Sequence, residues 1–228
     1  MNRIREADES FRPVSLTTAA RYAEAATLYR EVFGYQDPEY GLNPRLLGAL
    51  ASNGGSVVGV LDETDRLVAF AYGFCGTDRR GFYHYSQSAV VAADQQGKGL
   101  GRLLKHAQRE VALSHGMTRM RWTYDPFQIR NAHFNLDVLG ARGRWYAPDM
   151  YGHGVDRVVV EWELTREPAA EPARETARLV VPAKVTDQVR HDVRAGFQGL
   201  LGKGLVAKSC ALLPDGDAVY CFGPVDDA

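Results

Sequence analysis

Cysteine is scarce. The chain of 228 residues carries three, Cys75, Cys210 and Cys221. An odd set with no Cys-x-x-Cys pair argues against a disulfide framework and a structural zinc site. The residues read as free thiols in a reducing cytosol, and no metal site is expected. Charge of one sign is also lacking: 27 Lys and Arg stand against 28 Asp and Glu, with no long basic tract. That balance disfavours nucleic acid as a partner. Long hydrophobic runs are missing too. "LVAFAYGF" is far too short to span a bilayer, and the N-terminal "MNRIREADES" has no apolar core for a secretory signal. The expected compartment is the cytoplasm, with no membrane partner. With 45% hydrophobic residues, a chain of this size can bury one substantial core plus an appendage.

Residues 1–16 read as loose polar chain. "TTAARYAEAATLYREVFG" places Tyr22, Ala25, Ala26, Tyr29, Val32 and Phe33 at helical spacing, and Gly34 stands where a helix stops. "NPRLLGALASNGG" predicts a second, shorter helix. "SVVGVLD" and "LVAFAYGFC", separated by "ETDR", predict a hairpin, and "GFYHYSQSAVV" a further strand. After a glycine loop, Leu103, Leu104, Ala107, Val111 and Ala112 define one face of a helix ending near Gly116. "TRMRWTY" predicts a strand, "RNAHFNLDVLGA" a helix and "DRVVVEWEL" a strand. This order is that of a mixed α/β layer fold. The charged, proline-bearing segment 165–177 reads as a linker between residues 1–164 and an appendage, 178–228. The appendage predicts a β-α-β-β order, with Val189, Val193, Phe197 and Leu200 as the apolar stripe of its helix. That stripe must be covered by the main sheet or by a second subunit, so a homodimer is compatible with it.

The chemistry concentrates in "QQGKGLGR", between a strand and a helix. Gly97, Gly99 and Gly101 let backbone N–H groups approach an anion without Cβ atoms in the way. The helix that follows adds its free N–H groups and the positive end of its dipole, and Lys98 and Arg102 add charge. A phosphate or pyrophosphate suits such a loop. A Walker loop requires Gly-Lys followed by Ser or Thr, and none occurs here. A dinucleotide fingerprint requires a third glycine where Arg102 or Leu104 stands. The pattern Arg/Gln-x-x-Gly-x-Gly/Ala is met in full by Gln96 to Gly101. A plain glycine turn is the remaining reading.

"SAVVAADQQGKGLGRLLKHAQREVA" resembles motif A of the GNAT acetyltransferase superfamily, and the order of elements over residues 17–164 is similar to that fold. A closer similarity links "RWTYDPFQIRNAHFNLDVLGARGRWYAPDMYG" and "DRVVVEWEL" to a branch of these proteins with a Trp-Thr-Phe/Tyr-Asp-Pro segment and a similar C-terminal β-α-β-β appendage. The resemblance implies acetyl-CoA, or another acyl-CoA, as cofactor. It implies that the strand before the loop splays from its neighbour. The backbone of Ala89, Val90 and Val91 would then pair with the pantetheine arm. Gln96, Gly97, Lys98, Gly99, Leu100, Gly101 and Arg102 would cradle the pyrophosphate. Asn131 would contact the pantetheine or the thiol end.

The resemblance also implies direct attack of an amine on the thioester, which requires a base for the ammonium and an acid for the thiolate. Many members carry that acid as a tyrosine four residues before the glycine that ends the second motif helix. Counting back from Gly140 reaches Leu136. The candidates left are Tyr85 and His84, neighbours on the strand before the loop, and Asp125, at the end of the next strand. Ser86, Gln87, Tyr124, His133, Tyr146 and Tyr151 are further candidates. Each has a plainer reading. Asp125 before Pro126 fits a turn or a cap as well as catalysis. His84 fits a packed histidine. Arg142 and Arg144, which could bind an acidic acceptor or the cofactor's 3'-phosphate, fit a solvated loop, and Trp122 and Trp162 fit the core. The expected activity is N-acetyl transfer to a small-molecule amine acceptor, in a pocket with aromatic walls that include Tyr35 and Tyr40. The alternative is an acyl-CoA-binding sensor without turnover.

Overall fold

The computed structural model describes residues 10–152, 154–166 and 175–225. Their contacts divide the chain into two units, between Met120 and Arg121. In the first unit, β1 (Arg12–Ser15) runs antiparallel to β2, with Arg12 opposite Leu61 and Ser15 opposite Val58. This segment falls within the stretch expected to be loose. It is ordered by main-chain pairing rather than by its own side-chain pattern, and Leu16 anchors it in the core at 2% exposure. Residues 1–9 lie outside the described part.

α1 (Ala19–Phe33) begins where the Thr18 side chain accepts the Arg21 N–H, and ends at Gly34, whose φ of 67° is the left-handed stop. α2 (Pro44–Ser52) is capped by Asn43, which accepts the Arg45 N–H at 2.9 Å, with proline in the first turn. β2 (Ser56–Leu61), β3 (Leu67–Asp78) and β4 (Gly81–Val91) continue an antiparallel sheet, and α3 (Leu100–Ser114) follows the loop. One face of this sheet packs Phe70, Tyr72 and Val90 with Ala25 and Leu28 of α1 and Leu47 of α2. The other packs Val58, Val60, Val68 and Ala71 with Leu100 and Leu104 of α3. Leu28 carries the α1 contact that periodicity assigned partly to Phe33, which is 46% exposed.

β5 (Arg119–Tyr124) crosses the boundary into the second unit. There α4 (Ile129–His133) continues as a π-helical turn, Phe134–Val138, followed by β6 (Arg142–Ala147), β7 (Arg157–Glu163) and β8 (Ala177–Val181). α5 (Asp187–Gly202), β9 (Leu205–Leu212) and β10 (Ala218–Pro224) complete it. Its strand order is β5-β7-β6-β9-β10-β8.

β6 corrects the solvated loop expected around Arg142 and Arg144, and moves Tyr146 from a loop onto a strand. Its backbone pairs with β7, and the Glu161 side chain, 0% exposed, binds Arg121 at 2.6 Å and Arg144 at 3.1 Å. A buried carboxylate distant in sequence thus turns a basic stretch into an inner strand. Trp122 is core as expected, its indole N–H donating to Asn135 at 2.9 Å. The β-α-β-β order of the C-terminal segment is present. β9 meets β6 at Ala207 and Gly143, and Phe197 of α5 is enclosed by the rings of Tyr146, Tyr220 and Phe222. Of segment 165–177, residues 167–174 lie outside the described part.

Candidate functional site

The β3–β4 ladder contains one irregularity. Tyr72 faces Ser88 and Gly73 faces Ser86, so Gln87 is the extra residue of a bulge. The alternation of faces therefore inverts there. His84 and Ser86 point to the α3 side, whereas Val90 packs under α1 and α2 and Val91 on the α3 side. Tyr85, half-buried, lies on the face opposite His84 with its ring 5.3 Å from that of Phe74.

Beyond β4, the Ala92 N–H closes the ladder on Val68 O at 2.9 Å and a 3₁₀ turn, Ala93–Gln95, leads into the glycine loop. Gly97 and Gly99 have φ of 81° and 80°. A Cβ at either would meet nothing within 4 Å, so the requirement is for the left-handed backbone, not for a close neighbour. Gly99 is the N-cap of α3, and its carbonyl receives the N–H groups of Arg102 at 3.0 Å and Leu103 at 3.3 Å. The N–H groups from Gly97 to Gly101 donate to no backbone carbonyl among the described residues. Lys98 reaches Gln95 Oε1 at 2.7 Å and stands over the Phe11 ring, while Gln96 directs its amide to Val91 O at 3.5 Å. Successive free N–H groups at a helix N-terminus, with a lysine beside them, form an anion cradle. Ala89, Val90 and Val91 lead into it from β4, opposite Ala71, Phe70 and Ala69.

His84 is not at a surface. Its exposure is 0%, and its Nε2 is 2.8 Å from Ser56 Oγ. It belongs to a buried polar chain. Lys105 Nζ donates to Ser86 Oγ at 2.7 Å, Ser86 donates to Gln108 Oε1 at 2.7 Å, and Gln108 Nε2 donates to Ser56 Oγ at 3.1 Å. The Ser56 proton is then left for His84 Nε2, which puts the imidazole proton on Nδ1, an atom with no partner among the described residues. Burial, then the nearby charges of Lys105 and His115, lower His84 to about 4. Burial lowers Lys105 to about 7. The sequence carried one signal of this chain: Leu100, Leu104, Gln108 and Ala112 recur every four residues on the buried face of α3, and one of them is a glutamine.

Asp125 and Asn131 lie in the second unit. Asp125 Oδ1 accepts the Phe127 N–H at 2.9 Å and Oδ2 is 3.9 Å from Arg157, the arrangement of a turn residue with a cationic neighbour. Asn131 is exposed on α4, with Asn135 Nδ2 at 3.4 Å from its Oδ1. Leu136 is 1% exposed inside the π-helical turn. Tyr146 is tied to Asp156 at 2.7 Å, and burial, then that carboxylate, raise its pKa. Among the described residues no group of His, Cys, Asp and Glu could hold a metal, and no helix is long and apolar enough to cross a membrane.

Residues 17–136, more than half of the chain, match the model of the acetyltransferase (GNAT) family. The chain belongs to that family. No curated protein matches it. Among solved structures, the GNAT fold recurs in the Salmonella typhimurium protein yncA, solved with its cofactor acetyl-CoA. That match has 17% identity and a TM-score of 0.56, covering 72% of this chain and 99% of that one. The ribosomal-protein-S18-alanine N-acetyltransferase of Escherichia coli is similar at 12% identity and a TM-score of 0.55, over 71% and 99% of the two chains. A phosphinothricin acetyltransferase from Sinorhizobium meliloti, in complex with AcCoA, is similar at 17% identity and 0.54, over 71% and 94%. The α/β GNAT fold anticipated from the order of elements is thus the fold of this chain. The loop fits the cofactor class of the family: its open left-handed glycines and free N–H groups suit a pyrophosphate.

Proposed function

We propose that the protein is an N-acetyltransferase that moves the acetyl group of acetyl-CoA to the amine of a small acceptor. The observation that carries this reading is the row of N–H groups from Gly97 to Gly101, at the start of α3, in a chain of the GNAT family. Gln96 to Arg102 hold the pyrophosphate, and the main chain of Ala89–Val91 pairs with the pantetheine arm as an added strand would. What the cofactor supplies when bound is an acetyl carbon open to attack by a neutral amine, so that a C–N bond forms, the C–S bond breaks and coenzyme A leaves as the thiol. The protein's part is to bind, align and manage two protons, one leaving the ammonium and one reaching the sulfur. Leu136 cannot donate a proton. Tyr85 lies two residues before the bulged Gln87, and we assign the sulfur's proton to its hydroxyl. His84, enclosed, acts on β4 rather than on substrate.

The acceptor is a small amine of amino-acid type rather than a polycation. Tyr29, Phe33, Tyr35 and Tyr40 form a chain of ring contacts from the end of α1 into the α1–α2 connection, with neighbouring centroids 4.8 to 6.0 Å apart. Such rings offer apolar faces and hydroxyl donors. A thiol-release assay with acetyl-CoA across amino acids, monoamines and polyamines tests this. Release with amino-acid amines supports it, and release only with polycations overturns the acceptor class. The leucine at position 136 favours one other reading, a sensor that binds acyl-CoA without turnover. Tight binding of acetyl-CoA with no thiol release in the presence of any amine would establish that instead.

A further inference from the structure

Ser86 and Ser88 flank the bulge, and each faces a different helix. Ser86, 3% exposed, is bound by Lys105 Nζ and Gln108 Oε1 of α3, both at 2.7 Å. Ser88 lies beside the Tyr29 side chain of α1, on the opposite face. The hydrophobic pattern of this segment specifies register weakly. In "SQSAVVAA" the two valines are adjacent and the rest are small or polar. Losing the bulge, so that residues 88–91 slip by one against β3, would exchange Val90 and Val91 between the two cores at little cost in apolar burial. The register of the strand that leads into the glycine loop must therefore be set by something other than its apolar residues. The buried polar chain fixes the part before the bulge, because shifting Ser86 off the α3 face would leave Gln108 and Lys105 enclosed without that partner, and with Ser86 held there only the bulge lets Ser88 face Tyr29 of α1.

We propose that Lys105 is a positioning residue for acetyl transfer: through Ser86, backed by Gln108, Ser56 and His84, it holds the bulge at Gln87 in one register and so places the main chain of Ala89–Val91 for the cofactor. This rests on the acetyl-CoA reading of β4. Lys105 touches neither cofactor nor acceptor in this role. Gly73 is part of the same device, since a Cβ there would lie 2.4 Å from His84 Nε2 and from the Tyr85 carbonyl oxygen.

The test is a double-mutant cycle on the full chain, Lys105→Met, Ser86→Ala and both together. Coenzyme A affinity is measured by calorimetry, KM and kcat by thiol release, and amide hydrogen exchange is followed over residues 84–91. Each single change is expected to weaken coenzyme A binding by about tenfold, the scale of a buried hydrogen bond. It is expected to raise KM for acetyl-CoA with a smaller change in kcat, and to speed exchange at residues 88–91. Because Lys105 acts through Ser86, the double variant is expected to bind coenzyme A no more weakly than the worse single variant. Additive losses, or an unchanged KM with unchanged exchange at residues 88–91, overturn the proposal. Should Lys105→Met fail to fold, Ser86→Ala with Lys105 intact decides by the same exchange readout. Should the wild type bind no coenzyme A, the acetyl-CoA reading fails. Exchange at residues 88–91 then judges the clamp alone: faster in the variants if it exists, unchanged if it does not.

Discussion

Ser86 and Ser88 are two residues apart on one strand and face opposite helices, Ser86 bound by Lys105 of α3 and Ser88 beside Tyr29 of α1. Regular β structure would put both on the same face. The bulge between them separates the faces, and β3 accommodates it with a glycine. Gly73→Ala should therefore destabilise the protein by about 1–3 kcal/mol, the usual range for overpacking. At Gly48 a Cβ would lie 3.2 Å from one edge of the Tyr22 ring. Gly48→Ala, in a helix, should be far milder in the same urea titration. Equal effects would mean that Gly73 has no special role beside His84.

The two buried bases give stability a defined pH dependence. Lys105 falls from 10.5 to about 7 in the fold, and His84 from 6.5 to about 4. Both pKa values are lower in the folded state, so within each window the unfolded chain holds more protons and stability rises with pH. Between pH 4 and 6.5 the gain comes from His84, and between pH 7 and 10.5 from Lys105. Each contributes a slope of about 1.4 kcal/mol per pH unit at most. Lys105→Met should remove the upper slope, so that its stability relative to wild type changes by about 3 kcal/mol between pH 7 and 9.5. Urea midpoints at several pH values measure this, and parallel curves for the two proteins would refute it.

The cofactor loop can be separated from general backbone strain. Gly99 and Gly140 have φ of 80° and 72°, and a methyl group at either would meet nothing within 4 Å. Alanine at either should cost about 1 kcal/mol in stability, the left-handed penalty. Only Gly99→Ala should also weaken coenzyme A binding, because it alters the N–H groups at the start of α3. Equal affinity in the two variants would place the pyrophosphate elsewhere.

The loop, the helix after it and the order of strands were legible because their signals are local: glycine spacing, caps, and apolar alternation. β6 was not. "RGRWYA" reads as solvated until Glu161, on the neighbouring strand, neutralises Arg144. β1 was not, because a polar strand of four residues is ordered by its partner. The buried chain from Lys105 to His84 was only half legible. Gln108 interrupts an apolar series on α3, but its partners are set by how β2 and β4 lie beneath the helix. His84 was singled out for its chemistry, and only its 0% exposure shows that it serves the strand.

Tyr85 and Asp125 were both candidates from residue type, and their surroundings now give opposite expectations. Asp125 already spends one oxygen on the Phe127 N–H. Asn keeps an oxygen for that turn, so Asp125→Asn should leave kcat within about threefold and act mainly on stability. Tyr85 is half-buried near the bulge and carries the proton in the mechanism proposed above. Tyr85→Phe keeps the ring on Phe74 and removes only the hydroxyl. It should lower kcat by about a hundredfold or more, as loss of a general acid does, with coenzyme A affinity unchanged. A Tyr85→Phe enzyme with wild-type kcat at every pH would assign the sulfur's proton to water, and the tyrosine to the wall of the acceptor pocket.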